Sequence, residues 1–204
     1  HGESQSRPAE AGLAGGAAII PDMPGFYTGD GDDGTTGVLG EGRIAKHHPR
    51  AEALGALDEA AASLGLARSM VEDPAARTAL ETVQRHLYQM MAEVAAPGDQ
   101  AERFRTIGAD QVRWLESRID EWSGDAEAVD GFILGGDTPP GGALDLARTV
   151  VRRAERRLAR LKDDGGLENP HLLAYLNRLS SLCFVLILRE NRLGGIDRAT
   201  RARL

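Results

Sequence analysis

The stretch Tyr175-Leu176-Asn177-Arg178-Leu179-Ser180-Ser181-Leu182-Cys183-Phe184-Val185-Leu186-Ile187-Leu188 is apolar on most faces once it passes Leu179. A helix apolar nearly all round belongs at the centre of a protein or at an interface. The segment, running from about Pro170 to Glu190, closes a series of helical segments separated by breaks. The spacing predicts a first helix from about Pro49 to Arg68, with Leu54, Leu57, Ala61 and Leu64 in register. A second runs from about Pro74 to Ala96 with Leu80, Val83, Leu87, Met90 and Val94 on one stripe, and Pro97-Gly98 stops it. A third covers about Gly108 to Trp122, carrying Val112, Leu115 and Ile119. Asp137-Thr138-Pro139-Pro140-Gly141-Gly142 reads as a break, followed by a fourth helix from about Ala143 to Lys162. No strong alternating strand pattern appears. An all-α bundle is therefore expected.

Composition narrows the function classes. The 204 residues suffice for one domain with a substantial core. Aromatics make up only 4% of the chain, which favours aliphatic seams between helices. A net charge of −7 argues against general nucleic-acid binding. The lone Cys183 sits in an apolar run, reads as a small core residue, and fits a reducing cytoplasm. No segment reaches the roughly 18 apolar residues expected of a membrane span. Residues 1–25 are rich in Gly, Ala, Ser and Pro, with one apolar patch at Ala17–Ile20, and read as a mobile tail. Residues 193–204 form a basic tail carrying Arg198, Arg201 and Arg203, either a frayed helix end or a contact arm.

Ahead of the first helix lies Tyr27-Thr28-Gly29-Asp30-Gly31-Asp32-Asp33-Gly34-Thr35-Thr36-Gly37, with four glycines, three aspartates and three threonines. Glycines let backbone N–H groups approach a ligand, threonine hydroxyls add donors, and aspartates can hold a hydrated cation. The run reads either as a polyphosphate cradle or as a flexible acidic linker. In the fourth helix, Arg148, Arg152 and Glu155 fall within about 60° of one another, beside the apolar stripe of Val151, Ala154, Leu158 and Leu161. These charges form either a solvated face with internal ion pairs or a seam seeking anionic partners. Asp58, at the margin of the first helix's apolar face, is either exposed or partnered. Asn177, Ser180 and Ser181 share a face of the last helix, where local backbone hydrogen bonds are the usual outcome. Phe132 precedes a Gly-rich break, ordinarily the place of a core plug. His47 and His48 are adjacent and point apart, a poor chelate, and His86 has no visible partner, so no metal held by protein side chains is assigned.

Taken in order, the Tyr27–Gly37 loop, Lys46, Pro49-Arg50, Glu52, Gly55, Asp58-Glu59, Phe132-Ile133-Leu134, Arg148 to Arg156 and Leu176 to Ser180 closely resemble the PduO-type ATP:cob(I)alamin adenosyltransferases. The resemblance spans about residues 26–192. It implies a five-helix antiparallel bundle, a homotrimer with sites between subunits, and transfer of the 5′-deoxyadenosyl group of ATP to cob(I)alamin with release of triphosphate. Thr28, Gly31, Asp32, Gly34, Thr35, Lys46, Arg152, Glu155 and Asn177 are then the expected nucleotide contacts. Arg148 is expected to meet Asp58 of a neighbouring subunit, and Phe132 to sit beneath the corrin ring and exclude a lower axial ligand. Asp58, Phe132, Arg148 and Arg152 would thus carry the transfer. Cobalamin and ATP are substrates, and Mg²⁺ would ride on the phosphates. The cobalt is the nucleophile, so the protein's task is alignment and charge neutralisation.

The chain also departs from that pattern. The cradle's usual basic residue is Gly29 and the following threonine is Asp30, which weakens the local positive field. The asparagine after Asp58-Glu59 is replaced, since Ala60-Ala61 stand there. The proline after Phe132-Ile133-Leu134 is lost to Gly135-Gly136, and Asp137 adds an acid. Ser181 stands for an aspartate. Two function classes follow: a transferase with a re-tuned ATP loop, or a paralogue on the same trimeric scaffold that binds a corrinoid, nucleotide or other ligand without this transfer, or with other chemistry. Restoring lysine at Gly29 with threonine at Asp30 is expected to raise ATP affinity.

Overall fold

The computed structural model describes residues 27–40, 42–96, 98–124 and 131–202. The expected N-terminal tail, Pro97 as a helix stop, and Arg203 lie outside these residues. The described chain contains β1 (Thr35–Gly37), β2 (Arg43–Ala45), α1 (Pro49–Met70), α2 (Pro74–Ala95), a 3-10 segment (Gly98–Phe104), α3 (Ala109–Ser123), α4 (Pro139–Asp163) and α5 (His171–Leu193). Five helices form the body, as expected. The small antiparallel hairpin β1–β2, with Thr35 opposite Ala45 and Gly37 opposite Arg43, is not expected from the sequence. Three-residue strands carry too little alternation to be read from a sequence.

Each of three helices starts on a recognisable device. His48 caps α1 by accepting the Arg50 N–H at Nδ1 (3.1 Å), Asp73 caps α2, and Thr138 caps α4 by accepting the Gly141 N–H at Oγ1 (3.1 Å). The last of these corrects the expected break at Asp137–Gly142. Pro139 and Pro140 occupy the first helical turn, where a missing N–H costs nothing, so α4 begins four residues earlier than the sequence predicts. Gly141 fits there because a Cβ would collide with Asn191 Oδ1.

The core sits along α1, α4 and α5. Ala53, Ala60 and Ala67 on α1 are fully buried, and such small side chains let α4 approach closely. Ion pairs Glu59–Arg153 and Glu52–Arg157 join α1 to α4 in opposite chain order, which makes the two helices antiparallel. Helix α2 flanks α1, and α3 flanks α5. His86 of α2 closes the assembly by hydrogen-bonding the Tyr175 hydroxyl (2.9 Å) and packing edge-on against Trp114 and Tyr175. The sequence shows no partner for His86; the structure supplies partners from two other helices, and burial lowers its pKa.

Helix α5 is, by length and composition, long and apolar enough to cross a membrane, contrary to the sequence expectation that no segment is. Few charged residues interrupt it, yet it packs against α3 and α4 as the central rod of the bundle. Cys183 is fully buried there, as expected, and burial pushes its thiol up to about 12.

One carboxyl near the end of α5 strains this core. Glu190 is 3% exposed, and its Oε1 has no hydrogen-bond partner among the described residues. Burial first, and then the neighbouring Asp73 carboxylate, raise its pKa against the opposing pull of Arg189. A raised carboxyl pKa contributes stability that is fully present below the unfolded value and is lost as pH rises through the folded one. Glu190→Gln is therefore expected to stabilise the protein by about 1 kcal/mol at neutral pH, with the gain vanishing below about pH 4. Thermal melts at both pH values check this; equal melting temperatures at neutral pH would refute it.

Candidate functional site

The chemistry-bearing residues gather in three places. The first is the loop leading into the hairpin. Turns close at Gly29–Asp32 and Gly31–Gly34, and Gly34 adopts φ +80°, a left-handed conformation that favours glycine. Lys46 folds back over this loop, its Nζ donating to the Gly31 carbonyl (2.7 Å) and its N–H to the Gly34 carbonyl (2.9 Å). A Cβ at Gly31 would stand 3.0 Å from Lys46 Nζ, so glycine lets the ammonium close in. Thr28 Oγ1 accepts the Asp30 N–H (3.2 Å). Thr35 donates through both its hydroxyl (2.7 Å) and its N–H (2.8 Å) to Asp33 Oδ1. Those two bonds, the hydroxyl's first, hold the Asp33 carboxyl below its ordinary range, with Arg43 and Lys46 helping.

Arg43 is part of this loop's bonding, which sequence reading misses. Its Nε donates to Thr35 Oγ1 (2.7 Å), its Nη2 donates to the Asp30 and Thr35 carbonyls, and its guanidinium lies 3.8 Å from Asp33. The hairpin register brings it there, and no motif in the sequence signals that register. It returns a positive charge to a loop whose Gly29 lacks one. The loop is therefore ordered and not a flexible linker, because its hydroxyl, carboxylate and cation are all tied to one another. The Leu39 N–H to Ala95 bond anchors the hairpin to α2 (3.2 Å). Behind it, the Arg50 guanidinium reaches the Val94, Ala96 and Gly166 carbonyls and locks α1 to the ends of two other segments.

This geometry revises the expected double restoration. Gly29 has φ +78°, so a lysine there would be strained. Asp30 carries no such restriction, and its carboxylate has no partner among the described residues. Asp30→Thr alone is expected to tighten ATP binding by about 2- to 5-fold at low salt, an effect fading as salt screens it. Calorimetric titration at two ionic strengths checks this; unchanged affinity at low salt would mean the carboxylate faces away from the phosphates.

The second place is the face shared by α4 and α5. Asn177 Nδ2 donates to Glu155 Oε1 (3.2 Å), and Asn177 Oδ1 accepts from Arg178 (2.8 Å). Ser180 and Ser181 bond back to the Asn177 carbonyl, the local outcome anticipated. Arg152, less than one turn before Glu155, is exposed and makes no side-chain hydrogen bond or ion pair among the described residues. Asp58 on α1 is likewise exposed and unpartnered among them. Their neighbours in sequence, Arg153 and Glu59, pair with each other instead.

The third place is the loop before α4. Phe132 is 86% exposed, so it is no core plug. Its loop lies against the start of α4, where a Cβ at Gly135 would run into the Asp145 carboxylate. Asp145 in turn binds half-buried Arg148 (2.9 Å). Within one chain Arg148 is thus held by Asp145, a partner that the sequence does not announce, one turn away on its own helix. Asp137 accepts two bonds from Thr200 and does not face the exposed Phe132 ring as a free charge.

The structure brings Glu155 and Asn177 into contact, and it draws Thr35, Lys46 and the glycines into one hydrogen-bonded loop. The loop's described hydrogen bonds and ion pairs run within the hairpin or to α2, not to α4 or α5. Among the described residues no group of three or more His, Cys, Asp or Glu is placed to hold a metal ion.

Residues 26–190 match the sequence profile of the family described as cobalamin adenosyltransferase. The chain is 38% identical over 167 residues to the corrinoid adenosyltransferase PduO of Salmonella typhimurium, covering 81% of this chain but 49% of that relative. It thus spans about half the length of that relative, whereas it covers 89% of the corrinoid adenosyltransferase of Bacillus subtilis, at 35% identity over 177 residues and 84% of this chain. A solved variant of the PduO-type ATP:corrinoid adenosyltransferase from Lactobacillus reuteri, complexed with cobalamin and ATP, superposes with a TM-score of 0.81. That match has 31% identity and covers 88% of this chain and 97% of the other.

Proposed function

The chain belongs to the cobalamin adenosyltransferase family, and from that premise we propose that it transfers the 5′-deoxyadenosyl group of ATP to cob(I)alamin, releasing triphosphate. The observation that carries the reading is Phe132, an aromatic ring 86% exposed on a loop whose backbone is tied down. With Leu134, 52% exposed two residues on, it presents an apolar surface on an ordered loop, which suits a flat apolar ligand. A corrin ring fits that description. Cob(I)alamin supplies the nucleophile, so the protein requires no serine, cysteine or general base.

The remaining residues serve alignment and charge. Thr28, Gly31, Asp32, Gly34, Thr35 and Lys46 cradle the triphosphate, with Arg43 joining them. Arg152 presents its guanidinium to the leaving anion, and the Glu155–Asn177 pair fixes the nucleoside side. Mg²⁺ would come with the phosphates and offset their charge; Asp32, whose carboxylate makes no hydrogen bond among the described residues, would be the loop residue able to approach it, without supplying a full ligand set.

No hydrogen bond or ion pair among the described residues joins the cradle to the α4–α5 face within one chain, which agrees with a site completed between subunits. A homotrimer accomplishes this. Asp58 of one subunit then approaches the Arg148–Asp145 pair of the next, giving Arg148 a second carboxylate. The buried single cysteine suits a reducing cytoplasm.

The test is anaerobic. The protein is mixed with chemically reduced cobalamin, ATP and Mg²⁺, and loss of the cob(I)alamin absorbance is followed while adenosylcobalamin is identified by its photolability. Stoichiometric adenosylcobalamin and triphosphate support the reading. Corrinoid binding without product would move the chain to the class of binding paralogues.

A further inference from the structure

The side chain of Phe132 has almost no packing to hold it, and Gly131, Gly135 and Gly136 surround it with the most permissive backbone available. Something else must define its place. The bonds that do so come from the far end of the chain. Leu134 donates its N–H to the Thr200 carbonyl (2.8 Å), and Ala202 donates to the Phe132 carbonyl (2.9 Å), so Ile133 and Arg201 pair as an antiparallel bridge. Asp137 completes the closure: Oδ2 accepts the Thr200 N–H (2.9 Å), and Oδ1 accepts the Thr200 hydroxyl (2.6 Å).

This junction is rooted in the bundle. Next to Asp137, Thr138 donates its hydroxyl to Asn191 Oδ1 (2.8 Å), and both residues are buried. Asn191 accepts the Ile196 N–H at its carbonyl (2.8 Å), which turns the chain after α5 back toward the loop. A Cβ at Gly194 would press on the Thr138 methyl at 2.7 Å, so this corner is closely packed as well. The sequence allows the C-terminal stretch to be either a frayed end or a contact arm. Its described part is an arm that contacts its own chain.

We infer that Asp137 and Thr200 form a latch through which the C-terminal segment positions Phe132, making both of them positioning residues for the corrin-facing rim. The latch rests on the function proposed above for its role, but not for its existence. The two Thr200 donors keep the Asp137 carboxyl below its ordinary range, so it stays ionised and accepting at neutral pH. The acid at Asp137, which the sequence alone marks as an unwelcome charge near a ligand, is instead spent on holding the loop.

Two readouts separate the latch from the function. In Asp137→Ala and in Thr200→Val, amide exchange at Leu134 and Ala202, measured without corrinoid, is expected to speed up about tenfold or more while exchange in α1, α4 and α5 stays as in wild type. Thr200→Ser, which keeps both donors, is expected to behave as wild type. Exchange at Leu134 and Ala202 unchanged in both disrupting variants overturns the latch. In the transfer assay started from cob(II)alamin and a reductant, the step at which Phe132 acts, the disrupting variants are expected to lower kcat/KM for the corrinoid about 5- to 20-fold and to leave KM for ATP unchanged. Faster exchange with unaltered cobalamin kinetics overturns the positioning role. Failure of the wild-type protein to form adenosylcobalamin overturns the proposed function, and the exchange comparison still decides the latch.

Discussion

Arg152→Ala is expected to lower kcat/KM for adenosyl transfer by about 100- to 1,000-fold, a loss of roughly 3–4 kcal/mol of transition-state stabilisation. Negative charge concentrates on the triphosphate as its bond to the 5′-carbon breaks, and a guanidinium not engaged elsewhere can meet it. Most basic residues around it are engaged: Arg148 with Asp145, Arg153 with Glu59, Arg157 with Glu52 and Arg160 with Asp164. Arg152 is exposed, with no such bond among the described residues, so its removal should leave folding stability within about 0.5 kcal/mol of wild type. Arg152→Lys keeps the charge but loses the planar fork, and an intermediate rate is expected. Steady-state kinetics under anaerobic conditions, alongside a melting curve, check both statements. Wild-type kcat/KM in the alanine variant would remove Arg152 from the site.

Phe132→Ala is expected to lower the rate of adenosylcobalamin formation from cob(II)alamin and a reductant by about 100-fold, equivalent to roughly 3 kcal/mol of barrier. KM for ATP should hold, because the cradle lies elsewhere on the chain. The ring is 86% exposed, so truncating it removes little buried area, and the bundle should melt as before. If the ring displaces the lower axial ligand, wild type with ATP should show the absorbance and spin-resonance signature of four-coordinate cob(II)alamin, and the variant should lack it. Supplying pre-formed cob(I)alamin should restore much of the rate, since that species is already four-coordinate. A variant that retains the four-coordinate signature would show that Phe132 does not shape the corrin pocket.

The helices are legible for a simple reason. Their apolar stripes repeat every three or four residues over several turns, and few other conformations bury such a pattern. Thus Leu57, Leu64, Leu80, Leu87, Leu158 and Leu179 all lie in the core that their spacing demands. The start of α4 is easily misread because prolines and glycines at Pro139–Gly142 resemble a loop, while a threonine cap turns the same residues into a first helical turn. The hairpin escapes notice because its strands are three residues long. With it goes Arg43, whose importance comes from the register across from Gly37 and not from anything in Arg43-Ile44-Ala45 itself.

Periodicity and motif order are enough to make the chain a helical bundle and to assign Asp58, Arg148, Arg152, Glu155 and Asn177 to their rods. Spacing along one helix fixes the direction in which a side chain leaves it. Only the folded chain decides which polar groups meet. It joins His86 to Tyr175, Arg43 to Thr35 and Asp137 to Thr200, and it leaves Arg152 exposed. Of these pairings, His86 and Tyr175 stand 89 positions apart, and no local period encodes the closure that brings them within hydrogen-bond reach.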